Sequence, residues 1–436
     1  MFVSLQLIYK YSGNMLINFS IQNFGSIKDR QTLSFEADKS NHLEDYYIIN
    51  VNGLRLLKLG LIYGANSSGK TTVLKALEFL RTLVLNPKIR KTETFDFEPF
   101  LFDAKTPTEN TFFEIDFIQN DVRYFYKVQL NKKAIINEEL YAYNPNKINV
   151  FKRNTDLDYE LTSISFRNKS NIEKIEKKSL EMNTLWNNTV LGGFSKTNLE
   201  IKALKEVTDW FNRYLTSLLT PKTNFLDFFE MNNQMDLLSN KDVIEIIRKA
   251  DFNISGISME SRTIALIFAK THPNLKSEDI LQVNHTVKDQ NYKIKYSHES
   301  QGTQRYYGFS ALLYLLITGS ALFPVDELES SLHPDLFTHF LLSFLSNSKK
   351  SQLVATMHNR ELMNNKDIFR NDAIWITDKN KDSCATELYS LADFDTKVIR
   401  DTTNILNAYK LGKLGGVPNL GDYYIEIEAD KLKNYG

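Results

Sequence analysis

Residues 64–71 read Gly64-Ala65-Asn66-Ser67-Ser68-Gly69-Lys70-Thr71, a complete G-x-x-x-x-G-K-T phosphate loop. Gly64 and Gly69 let the backbone curl so that successive N–H groups point inward at a triphosphate. Asn66, Ser67 and Ser68 form the cradle between them, and Thr72 closes it on the far side. Lys70 brings positive charge to the β and γ phosphates, and the Thr71 hydroxyl is placed to ligate Mg²⁺. Outward from the loop, Leu59, Leu61 and Ile62 form an apolar run ending at Tyr63, as a buried strand should. From Thr72 to Leu80 the pattern turns helical, with Val73, Leu74, Leu77 and Leu80 on neighbouring faces. A strand in and a helix out put the phosphates at a helix N-terminus, where the dipole favours anions. The loop therefore predicts ATP with Mg²⁺.

The 436 residues are enough for two or three lobes and a large core. Apolar residues make up 42%, which excludes a disordered chain. Lys plus Arg and Asp plus Glu each number 53, so no bulk basic field draws in DNA or an anionic membrane. Cys384 is the single cysteine, which rules out an intramolecular disulfide or a cysteine-built zinc site and fits a reducing cytoplasm. No apolar run reaches membrane-spanning length; the longest, Ala311 to Ile317, reads as a buried helix. No membrane partner is expected. The first residues lack a basic start and a cleavage site, so no signal peptide is assigned. Met15 opens an alternating strand, Ile17, Phe19 and Ile21 against Asn18, Ser20 and Gln22, which makes it a second candidate for the translation start.

Strand signals dominate residues 15–180. Leu33 and Phe35 follow the first strand, then the loop strand. Phe113, Ile115 and Phe117 alternate, as do Val122, Tyr124, Tyr126, Val128 and Leu130, with Gln119-Asn120-Asp121 reading as a hairpin turn. Residues 181–290 read as a helical insertion, an exposed arm rather than a second core. There Ile201, Leu204, Val207, Phe211, Tyr214, Leu215 and Leu218 fall on one helical face, and Ser239 with Asp242 resembles a capping box. In residues 291–436 strand–helix alternation returns: Ala321–Val325, a helix from Pro334 to Leu345, then strands at Leu353–Thr356 and Ala373–Thr377. The expected class is α/β, with an N-terminal antiparallel β-lobe and a mostly parallel, helix-covered core sheet.

A strand ending in Asp326-Glu327 is the expected partner of a phosphate loop. The first carboxylate would hold Mg²⁺ through water and the second would polarise the attacking water. Pro324 inside that strand removes a ladder donor. Upstream, Glu299-Ser300-Gln301-Gly302-Thr303-Gln304-Arg305 precedes a long apolar helix, a setting that suits a phosphate. Downstream, Thr356-Met357-His358 ends a strand and places an imidazole at the edge where α/β ligands bind.

The series Gly64–Thr71, Ser300–Thr303, Asp326-Glu327, Leu328–Pro334 and His358 resembles the ABC-type ATPases of the SMC/RecF/OLD class within the AAA family. These carry a Walker A loop, a signature motif, Walker B, a D-loop and a switch histidine in that order. Asn23-Phe24-Gly25-Ser26-Ile27 matches the class too. The Glu-Ser-x-Gly-Thr-x-Arg form, Ser330-Ser331-Leu332-His333-Pro334, Ala392-Asp393-Phe394, Asn404 and Ala408–Pro418 resemble the RloA/AbiLi-type ATPases, with those of PARIS and Septu phage defence as relatives. The signature is a short form lacking the usual Leu and second Gly. A Q-loop glutamine has no clear place, and Gln119 qualifies only by position.

The resemblance implies a slow ATPase, ATP and water to ADP and phosphate, with Glu327 and His358 catalytic and Thr71 and Asp326 on the metal. It implies a partner in a second copy: two heads sandwich two nucleotides, and Ser300, Gly302 and Thr303 of one face the Walker A loop of the other, with higher oligomers open. The leading expectation is a sensor and scaffold of antiphage abortive infection, answering a phage-derived trigger and controlling a separately encoded, nuclease-like effector. The runner-up is a RecF/SMC-like repair or recombination ATPase with DNA as partner. A transporter ATPase ranks third.

Overall fold

A computed structural model describes residues 13–143, 145–167, 174–232, 234–250, 254–259, 281–330, 332–394 and 405–417. Residues 1–12, Ser331, Asn404, Pro418 and the 260–280 part of the expected insertion lie outside these.

The chain opens with β1 (Met15–Gln22) and β2 (Gln31–Ser34), passes the β3 (Ile48–Val51) and β4 (Leu54–Leu57) hairpin, and enters β5 (Leu59–Gly64). After the Lys70–Leu85 helix come β6 (Thr111–Gln119), β7 (Val122–Leu130), β8 (Ile135–Tyr143), β9 (Lys147–Asp156) and β10 (Leu161–Phe166). Strands β10-β9-β8-β7-β6-β1-β2 form one antiparallel sheet. The β6–β7 turn is Asn120-Asp121 alone, both at positive φ (51 and 63), as a two-residue type I′ turn requires. Gln119 belongs to β6, paired with Val122, rather than to the turn itself.

Later strands are β11 (Ile254–Met259), β12 (Leu281–Val287), β13 (Gln290–Lys295), β14 (Leu322–Val325), β15 (Gln352–Thr356), β16 (Ile374–Lys379) and β17 (Thr386–Ser390). The core sheet runs β14-β15-β5-β16-β17, parallel except for β17. β5 sits at its centre and Leu59, Leu61, Ile62 and Tyr63 are buried, which is why it reads as a continuous apolar run. The phosphate loop leaves its carboxyl end between β15 and β16. Pro324 fits because β14 is an edge strand: its C=O faces outward and accepts from Leu219 N–H at 3.0 Å. The missing donor would face that same side and takes nothing from the β15 ladder.

Three expectations need correction. The alternation of β1 is broken by a register shift between Leu16 and Asn18. Ile17 joins Met15, Leu56 and Ile118 in a small cluster, while Phe19 and Ile21 enter the main core. A bulge adds one residue, so a period-two count misplaces what precedes it. The freed Leu16 backbone is satisfied by the buried Gln352. Its Oε1 accepts from Leu16 N–H at 2.6 Å and its Nε2 donates to Leu16 O at 3.0 Å.

Among its described residues, the stretch 181–290 is not helical throughout, and part of it enters the main core. Its described helices end at Arg248, after which β11, β12 and β13 form a small antiparallel sheet. The Lys202–Asp209 helix runs into a π-helical turn, Trp210–Tyr214, so Leu215 and Leu218 fall beyond the helix. Leu204, Val207, Trp210, Phe211, Tyr214 and Leu215 are buried in the main core, with the Trp210 ring 4.3 Å from that of Phe117. Not all the Asn of this stretch face solvent: Asn187 and Asn188 are each 1% exposed. Finally, the cap of the Lys241–Arg248 helix is Asn240, whose side chain accepts from Asp242 N–H, rather than Ser239.

Candidate nucleotide site

The two loop glycines are set by close approach. A Cβ on Gly64 would lie 2.3 Å from Thr377 Oγ1, and one on Gly69 would lie 2.1 Å from Thr386 Oγ1, with Gly69 at φ 104. Lys70 folds back over the loop, Nζ donating to Gly64 O at 2.9 Å and Ala65 O at 3.0 Å. Burial pulls its pKa down, opposed by the Asp326, Glu327 and Glu329 carboxylates, which favour the charged form.

From the next residue, the Thr71 hydroxyl donates to Asp326 Oδ1 and Oδ2 at 3.0 and 3.2 Å, and Thr356 Oγ1 donates to Oδ1 at 2.6 Å. Glu327 sits at φ 50, its N–H held by Thr356 Oγ1 at 2.8 Å. This left-handed kink turns the chain out of β14. The Glu327 carboxylate then lies 3.3 Å from His358 Nε2, at the end of β15. Asn66, Ser67, Lys70, Thr71, Glu327 and His358 all line one open cavity of about 550 Å³, with Gly69 and Thr72 completing its wall.

Several expected residues stand apart from it, Gly64 and Asp326 among them. The Ser68 side chain is turned away from the cavity to Thr377 Oγ1 at 2.6 Å, bracing the loop. Ser300, Gly302 and Thr303 do not line the cavity. They open the Gln301–Thr318 helix, where Ser300 Oγ accepts from Thr303 N–H at 3.1 Å. Arg305 of the same helix is buried and donates to Ser330 O at 2.9 Å, tying this helix to the loop after Glu327.

Sequence reasoning left Thr377 and Thr386 without a role and quoted Ser26 only within a longer stretch. Thr386 Oγ1 donates to Ser68 O at 2.9 Å and to Ser26 Oγ at 2.7 Å, and Ser26 Oγ reaches Thr72 Oγ1 at 3.1 Å. This hydroxyl chain fixes the loop against both sheets. Ser26 had a signal, its place in Asn23–Ile27; a threonine in β17 had none.

Among the described residues no group of three or more His, Cys, Asp or Glu could by itself hold a metal ion. Thr71 and Asp326 offer oxygen donors alone, the type a hard divalent cation takes when phosphate oxygens and waters complete its shell.

The sequence matches a protein family described as "AAA domain, putative AbiEii toxin, Type IV TA system" over residues 61–364, more than half of the chain. The chain belongs to that family. As an AAA-domain protein it carries a P-loop ATPase domain, which implies ATP binding. Thr377 and Thr386, which clasp the loop, lie beyond the matched region. No curated protein matches the chain. Similar solved structures include an SMC head domain from Thermotoga maritima, at 12% identity and TM-score 0.40, covering 86% of this chain and 98% of that one. Another is an Smc head domain with an extended coiled coil bound to the C-terminal domain of ScpA derived from Pyrococcus furiosus, at 11% identity and TM-score 0.41, covering 92% and 99%. Likeness at that level bears on neither ligand nor partner. Among the described residues no helix is long and apolar enough to cross a membrane.

Proposed function

We propose that the chain is an ATP-hydrolysing switch of an antiphage system, closed by ATP between two copies and controlling a separately encoded effector. The observation that carries the hydrolytic part is the convergence of Lys70, Thr71, Glu327 and His358 on one cavity, with Asp326 bonded to the Thr71 hydroxyl behind it. Lys70 leaves the Gly64 and Ala65 carbonyls to meet the β and γ phosphates. Thr71 and, through water, Asp326 would hold Mg²⁺, which supplies charge neutralisation at the phosphates. Glu327 takes up the proton of the attacking water, and His358 orients that water and the γ-phosphate.

Ser300, Gly302 and Thr303 lie outside the cavity of their own chain, on an exposed helix start. In a closed pair they complete the γ-phosphate cage of the second copy, where helix N–H groups favour an anion. The antiphage reading is supported by the motif forms at Glu299–Arg305 and Ser330–Pro334 and agrees with the toxin–antitoxin wording of the family description.

The test is affinity purification of tagged Glu327→Gln protein from its own host with ATP present and flanking genes intact, followed by mass spectrometry with and without nuclease. A stoichiometric toxin-like or nuclease-like protein that survives nuclease supports the reading. DNA with repair proteins, lost on nuclease treatment, overturns it in favour of genome maintenance.

A further inference from the structure

Glu329 has no part in the scheme above, yet its carboxylate is aimed at the switch histidine's backbone. Its Oε1 accepts the N–H of His358 and, at 3.0 Å, the N–H of Asn359. Two consecutive N–H groups on one charged acceptor fix the direction in which the chain leaves β15. Its Oε2 is shielded from solvent and takes no hydrogen bond, so the carboxylate is held from one side only.

The loop that carries Glu329 is itself anchored. Glu327 N–H bonds Thr356 Oγ1 at 2.8 Å, Leu328 N–H bonds Thr356 O at 3.2 Å, and Ser330 O accepts from Arg305. These bonds fix the Glu327 side of the pair to β15 and to the Gln301–Thr318 helix. The His358 side, one residue past Met357, is tied back to the same loop by Glu329.

We propose that Glu329 is a positioning residue: it clamps the His358–Asn359 backbone so that the imidazole stays 3.3 Å from the Glu327 carboxylate. The inference rests on the hydrolytic reading above. Through Arg305 and Ser330, the same loop links this clamp to the helix that begins at Ser300. Closure on a second copy would therefore act on the histidine as well as on the γ-phosphate.

Reach and charge separate in two variants. Glu329→Gln keeps an oxygen at the same distance without the charge, whereas Glu329→Asp keeps the charge but falls one methylene short of both N–H groups. Both are assayed alone and combined with His358→Ala, for ATP turnover and for equilibrium binding of a fluorescent ATP analogue, with thermal melts as the folding control. The expected result is that Glu329→Gln stays within about threefold of wild type. Glu329→Asp should lose about 10–100-fold in kcat, as a misplacement near 1 Å does, with affinity changed less than about threefold. On the His358→Ala background Glu329→Asp should cost nothing further, because the clamp acts through the histidine.

Multiplying losses in the double variant would overturn the proposal, as would Glu329→Gln failing like Glu329→Asp or a tenfold loss of ATP affinity. Wild-type protein without ATP turnover would instead overturn the hydrolytic reading itself.

Discussion

The Thr71 hydroxyl meets the Asp326 carboxylate at 3.0 and 3.2 Å across 255 residues of sequence, joining the helix after β5 to the end of β14. Asp326 also takes the Thr356 hydroxyl, so three core elements share one carboxylate. Asp326→Asn should leave the fold in place, since an amide oxygen still accepts one hydroxyl. It should cut Mg²⁺-dependent ATP turnover by about 10²–10³-fold, the size of losing one preorganised charge contact. ATP binding measured in EDTA should change little. Turnover within threefold of wild type would remove Asp326 from the metal site.

Glu327→Gln keeps the shape of the side chain at its left-handed position and removes its ability to take a proton. Turnover should fall about 10²–10⁴-fold, the range of a general base, while ATP affinity holds. If two copies close on ATP, this variant should sediment as a dimer with ATP and as a monomer without it. Equal sedimentation in both conditions would sink the sandwich.

Gln352 ties the two sheets together where β1 bulges. Besides Leu16 it donates to Leu57 O at 2.9 Å and accepts the Tyr214 hydroxyl at 3.1 Å, all in buried surroundings. Gln352→Leu matches the volume but takes this partner from four buried polar groups, leaving the Tyr214 hydroxyl only Met15 Sδ at 3.6 Å. The expected cost is about 3–5 kcal/mol, below the sum of four separate penalties because the site can relax. A urea midpoint that falls with an unchanged slope would show it; an unshifted midpoint would refute it.

What the sequence made legible follows from how local each signal is. β5, the phosphate loop and the helix after it could be read because strand, turn and helix are contiguous and each obeys its own period. Asp326, Glu327 and His358 could be read because each ends an apolar strand, and parallel strands deliver their carboxyl ends to one edge. Gln352 and Thr386 could not, because a polar residue in a strand carries no mark of a partner more than 300 residues away. The bulge at Ile17 escaped because an extra residue changes register without changing composition. The apolar face that includes Phe211 and Tyr214 is legible as a stripe, but the sequence carries no mark that it packs into the main core rather than within an arm.

Lys58 makes stability depend on alkaline pH. It is 5% exposed, with Nζ donating to Leu345 O at 3.0 Å near the C-terminus of the Pro334–Asn347 helix. Burial, helped by the nearby Lys349 charge, pulls its pKa from 10.5 down to about 8. The folded state thus gives up this proton before the unfolded chain does. Between about pH 8 and 10.5 the unfolded chain binds more protons, so this group makes stability rise with pH across that window. Below about pH 8 the full penalty is present; above 10.5 it is gone. Its size is about 1–3 kcal/mol once residual hydration of the ammonium is allowed for. Lys58→Met lacks a titrating group there. Urea midpoints at pH 7 and pH 10 should show wild type gaining on Lys58→Met by about that amount. A difference between the two proteins that does not change with pH would show that Lys58 titrates alike in the folded and unfolded chains.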